Sequence, residues 1–244
     1  MVATAALVRP TTRRGLYVGL AAVAIAIAAV GFWPTYFGPL AAGTVDKTPI
    51  VHLHAAVYVG WLAIFLTQTV LAATGRVAAH MKLGRIAIGY GVLVIVVGVL
   101  TAFARFALGV RAGEVAAAGA QLLGPLLDML VFAPAFAAAI YYRRKPELHK
   151  RLMIVATTSL LIAAAGRMQF LGQPANLLLL HLIWTAPILL AMAHDLWRQR
   201  RVHPVYVLGL VVLVLEGPVL RIAVRGSEEW LGIGSWLATW VAER

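Results

Sequence analysis

The 244-residue chain has no cysteine, which excludes disulfides, thiolate metal sites, iron–sulfur clusters and cysteine nucleophiles. Any metal has to be held by His, Asp, Glu or Met. Charge is also scarce: 12% of residues are charged and only 9 are acidic. There is no phosphate loop, dinucleotide fingerprint, G-x-S-x-G or H-E-x-x-H motif, so soluble nucleotide chemistry is not expected. What fills the chain instead is apolar sequence, 62% hydrophobic with a mean hydropathy of +0.88, too apolar for a soluble domain.

Those apolar residues come in continuous runs and do not alternate, which predicts helices rather than a barrel. A hydrocarbon core of about 30 Å needs roughly 20 residues per helix. Seven runs meet or approach that length: Gly15 to Trp33, Val51 to Ala73, Gly84 to Leu108, Gln121 to Tyr142, His149 to Ala165, Ala175 to Trp197, and Val205 to Leu220. The expected fold is an all-α polytopic bundle of about seven transmembrane helices, a single integral membrane domain over residues 1–244 with its core at about 15–225. The start, "MVATAALVRPTTRRG", resembles a signal peptide's charged region, but the following run is too long and "VGFWPTYFGPL" is a poor cleavage site, so it reads as a retained first helix. Gly84, Gly89, Gly91 and Gly98 give the third run a small-residue surface for close packing.

The excess of 21 Lys and Arg over 9 acids falls in short clusters between the runs, a pattern of topology and not of nucleic-acid binding. Arg9, Arg13, Arg14, Arg76, Lys82, Arg85, Arg143, Arg144, Lys145, Lys150, Arg151, Arg198, Arg200 and Arg201 share one side. The positive-inside rule then places the amino terminus in the cytoplasm and, after seven spans, the carboxyl terminus outside, as in a bacterial inner-membrane protein. Residues 226–244 space Trp230, Trp236 and Trp240 for a short interfacial helix.

Ionisable groups inside spans are costly and by default face a bundle interior. On this topology His52, His54, Asp128, His181 and Glu216 lie in the outer third of four helices, with Arg105, Arg167 and Arg221 near the same surface. At about 100° per residue His52 and His54 point away from each other. His54 heads a stripe through Tyr58, Trp61, Phe65 and Gln68, whereas His52 faces packing or headgroups. Imidazoles with carboxylates suit a transition metal held by His54, His181, Asp128 and Glu216; facing imidazoles suit haem iron; a bare His and Glu suit proton transfer. At the opposite surface stand His80, His149, His194 and, in a loop, His203. Beside Lys and Arg they read as solvated or lipid-bound, or as a second haem or quinone pocket. His181 and His194, about 20 Å apart on a straight helix, have the separation of two stacked haems, but no second helix repeats their interval.

"HMKLGRIAI" and "HKRLMIVA" each open a run with a histidine followed by cations, a short internal echo. With the longer stretches "GRVAAHMKLGRIAIGYG" and "PELHKRLMIVATTSLLIAAAGRMQF", the chain resembles, over about residues 50 to 170, an uncharacterised family of bacterial polytopic membrane proteins. It is more distantly similar to transmembrane b-type cytochromes. That second resemblance implies haem b with His54, His80, His149 and His181 as candidate ligands, and quinone or a redox protein as partner besides membrane lipids. The alternatives are a metal-dependent enzyme acting on a lipid or small apolar substrate, and a non-enzymatic transport or assembly factor using Asp128 and Glu216.

Overall fold

The computed structural model describes residues 12–168 and 176–242. The amino-terminal segment with Arg9, and the start of the sixth run at Ala175, lie outside them. The protein is an all-α bundle, 86% helical and without a strand among the described residues. Helix α1 (Thr12–Phe32) passes through a π turn (Trp33–Phe37) into α2 (Gly38–Ala41). Then follow α3 (Pro49–Ala73), α4 (Val77–Arg111), α5 (Val115–Tyr141), α6 (Pro146–Ser159), α7 (Ile162–Ala165), α8 (Leu177–Trp184) and α9 (Ala186–Gln199). Helix α10 (Pro204–Val214) runs through a second π turn (Leu215–Leu220) into α11 (Arg221–Val224), and α12 (Glu228–Ala242) is the last of the described elements. Among the described residues six helical stretches are long and apolar enough to cross a membrane, and the bent pair α8–α9 makes a seventh. It is a multi-pass membrane protein.

Local chemistry sets the helix ends. Proline occupies the first position of α3, α6 and α10, where its missing N–H costs nothing. Gly75 and Gly113 take φ of 75° and 82° to close α3 and α4. The sixth run differs from expectation: α8 and α9 meet at 68°. Pro187 has no N–H for the turn below it, and the Thr185 hydroxyl bonds the His181 carbonyl at 2.6 Å. The straight-helix 20 Å interval between His181 and His194 therefore does not exist.

Helices α3 to α6 run up and down, and residues from all four meet in one core of Val57, Trp61, Val94, Met129, Phe132, Phe136 and Ala156. The Trp61 indole stands edge-on to Phe132 and Phe136, with ring centroids 5.4 and 5.5 Å away. The α3–α4 seam is reciprocal. Tyr58 lies over Gly98 and donates to the Val94 carbonyl, while Tyr90 lies over Gly60 and donates to the Val57 carbonyl at 3.1 Å. Of the expected small-residue surface, Gly91 and Gly98 receive Phe136 and Tyr58, whereas Gly89 faces open space.

The α6–α7 span is packed by α1, α5, α9 and α10. It has the lowest mean hydropathy of the six, 1.3, and is the most buried. Thr157, Thr158 and Ser159 are almost wholly enclosed there. Polar content follows shelter from lipid.

Helix α12 is docked along α4 and α5: Trp230 Nε1 donates to the Gly119 carbonyl at 2.8 Å, Gly234 faces Gly119, and Ala238 is buried with Ala102 and Phe106. Trp236 and Trp240 face outward. A Cβ on Gly234 would lie 3.1 Å from the Gly119 Cα. Gly234→Leu is therefore expected to undock α12 and leave the rest of the bundle intact. Amide exchange should accelerate over residues 228–242 and stay unchanged over α3 to α6; unchanged exchange in α12 would contradict the docking.

Candidate functional site

Two polar centres lie at different levels of the bundle, one beside the middle of α5 and one at the end where α4 and α6 begin. The first is built on the second π turn. On an α-helix, residues five apart point about 140° away from each other, so Glu216 and Arg221 would not meet. The wider π turn brings them to one face. Pro218, with no N–H to offer, is the local cause. Arg221 Nη2 and Nε donate to Glu216 Oε1 at 2.5 and 3.2 Å, and Nη2 also bonds Asp128 Oδ1 on α5. Gly124, one turn above Asp128, leaves room for the guanidinium, whose Nη1 would lie 3.0 Å from a Cβ there. Glu216 is only 4% exposed, and its Oε2 has no hydrogen-bond partner among the described residues.

Around this triad, the His54 ring stacks on Tyr58 at 4.0 Å, and Arg167 lies within electrostatic range of both His54 and Asp128. His52 turns away to Tyr36, whose hydroxyl is 2.9 Å from its Nδ1. The two histidines thus separate along the lines of the helical wheel. His181 bonds its own helix, Nδ1 to the Leu177 carbonyl, and its Nε2 is buried without a partner among the described residues. The expected metal set of His54, His181, Asp128 and Glu216 is not assembled. Among the described residues no group of three His, Asp or Glu side chains is placed to hold an ion. The two carboxylates instead share a guanidinium, which stands where a cation between them would stand.

The second centre is at the basic end. His80 and His149 are each the fourth residue of a helix, α4 and α6, that start at the same end of the four-helix core. His149 Nδ1 lies 2.8 Å from the Ala139 carbonyl of α5, and His80 Nδ1 lies 3.2 Å from the Gln68 carbonyl of α3. A carbonyl only accepts, so in both rings Nδ1 carries a proton, and in the neutral tautomer of such a ring the lone pair is on Nε2. The internal echo in sequence is thus an echo in geometry: each histidine leans back onto the helix before it. The two rings lie within electrostatic range of each other. Trp61 Nε1 and Gln68 Oε1, further along the α3 stripe, are buried without partners among the described residues.

Sequence reasoning missed a third polar cluster beside that end. Arg151 and Asp195, each 3% exposed, pair at 3.4 Å across α6 and α9. Arg151 Nη1 also bonds Glu147 Oε2 at 2.5 Å, and Gln199 donates to Asp195 Oδ1 at 2.9 Å. Tyr17 and Tyr206 hydroxyls meet at 3.1 Å nearby. A cavity of about 20 Å³ among these side chains and His194 has room for one water. The available signal was Asp195 standing in an otherwise basic segment.

No family model matches the chain, and neither a curated protein nor a solved structure matches it.

Proposed function

We propose that the protein is a membrane electron-transfer protein that holds one b-type haem between His80 and His149. The observation that supports this reading is the matched pair of Nδ1–carbonyl contacts. Histidines that bind metal almost always donate their other ring N–H to a carbonyl or carboxylate, which fixes the ring and makes the free nitrogen a better ligand. Helices α4 and α6 are alternate members of an up-and-down core, so both begin at the same end of it.

The haem would supply one-electron chemistry. Nε2 of His80 and Nε2 of His149 would hold the iron, each ring fixed through Nδ1 by a backbone carbonyl, with an apolar core beneath. Exposed Lys82, Arg85, Arg143 and Arg144 suit the negative propionates. A quinone or a redox protein is the partner on this reading, and the cell membrane of a bacterium its location.

The test is the absorbance of the purified full-length protein. A Soret band with one haem per chain is expected. Either His80→Ala or His149→Ala should abolish the low-spin spectrum, and His181→Ala should leave it intact. A protein without a Soret band, or a spectrum that survives both substitutions, would overturn the reading.

A further inference from the structure

A groove of about 500 Å³ runs between α5 and α10 with α6 as its floor, within the size range of small-molecule sites. Leu130 and Leu208, 68% and 66% exposed, stand at its rims, so it opens sideways, where a membrane protein meets hydrocarbon. Its shape has a local origin. A Cβ on Gly209 would lie 2.5 Å from Val155 Cγ2, so glycine lets α10 close onto α6 while leaving the gap to α5.

Every lining residue but one is apolar, and the exception is Glu216. Its Oε1 is taken by Arg221, while its Oε2 is enclosed and unpartnered among the described residues. A buried acceptor left without a donor is destabilising, and more so when charged. Since Oε2 is closed off as the side chain stands, a ligand that fills the groove removes that cost when the Glu216 carboxylate turns to meet its donor. The charges around it argue for a neutral donor: Asp128 and Glu216 are balanced by Arg221 and by Arg167, which lies within electrostatic range of Asp128.

We infer that the α5–α10 groove is a binding site for a hydroxyl-headed hydrocarbon, a lipid-soluble alcohol or quinol whose chain lies between Leu130 and Leu208 and whose O–H donates to Glu216 Oε2. The site does not depend on the haem reading, since it uses neither His80 nor His149.

The probe is a sixteen-carbon alcohol carrying a diazirine on its chain, photolysed with the full-length protein in nanodiscs, against the methyl ether of the same chain. The alcohol is expected to label segments 127–135 and 205–212 saturably, and at least about tenfold more strongly than the ether. Leu208→Trp, at an exposed rim, should block labelling by both, and Glu216→Leu should lower the alcohol to the level of the ether. Stronger competition by a short-chain quinol than by unlabelled alcohol supports a quinol head, and the reverse order supports an aliphatic one. Equal labelling by alcohol and ether in the unmodified protein, or alcohol labelling that survives Leu208→Trp, would overturn the proposal. The first comparison decides the matter even where Glu216→Leu fails to fold.

Discussion

Arg221→Leu is expected to destabilise the bundle by about 3–5 kcal/mol, the cost of leaving a buried charge without its partner. Here one guanidinium serves two carboxylates, Asp128 and Glu216, on different helices. Its loss strands both on surfaces that are almost closed to water. Thermal unfolding of the detergent-purified protein should move down by on the order of 10 °C. The informative comparison is with the triple substitution Asp128→Leu, Arg221→Leu, Glu216→Leu. Replacing a whole buried ionic group by hydrocarbon is often neutral or stabilising, so the triple variant is expected to be more stable than Arg221→Leu alone. If the three single losses simply add, the residues do not act as a unit, and the π turn has some other reason to exist.

Gly31→Ala, a change of one methyl group, is expected to destabilise by about 3 kcal/mol, at the upper end of ordinary overpacking. A Cβ at Gly31 would lie 2.2 Å from the carbonyl oxygen of Ala164 and 2.5 Å from its carbon. Both are backbone atoms, so no side chain can rotate away. Helix α1 must separate from α7, and the apolar contact that buries Leu20, Ala21, Ala24 and Ile27 against the core opens with it. The control lies on the same helix. Gly15 and Gly19 have nothing within 4 Å of a built Cβ, so alanine there should be neutral or slightly stabilising, because alanine favours helix. Equal thermal shifts at Gly19 and Gly31 would mean that the α1–α7 contact is not tight.

Much of the architecture was legible because burial in a bilayer leaves long continuous apolar runs, and charge clusters punctuate them. All seven expected spans correspond to helices or bent helix pairs. The wheel also separated His52 from His54, since both sit on a regular stretch of α3. What escaped is irregular backbone. Regular 100° steps put Arg221 away from Glu216, and only a π turn brings them together; the pair Gly217–Pro218 announced a break without saying which residues it would join. Pro187 marks the bend that removes His181 from the line of His194, a signal the straight-helix interval left unused. A fourth run starting at Gln121 puts Asp128 in an outer third, whereas α5 begins at Val115 and carries Asp128 at its middle; depth, moreover, says nothing about azimuth. Asp128 and Glu216 went to an arginine that sequence reading had noted only as nearby. The Arg151–Asp195 pair was hidden for the opposite reason, since cations at the basic end were read as topology signals and not as contacts.

The burial of α6 bears on how the chain gets into the membrane. A segment with Glu147, Lys150 and Arg151 in its first two turns and a hydroxyl cluster further along is a weak candidate for leaving the translocon into lipid unaided. It emerges directly behind α5, to which a short turn at residues 142–145 ties it. Insertion of α6 is thus cooperative with its predecessor: the hairpin, and not the single helix, is the unit that partitions. The later helices α9 and α10 then complete a wall around a span that entered the bilayer before its full shelter existed. The order in which the helices are synthesised is therefore part of what makes this sequence foldable.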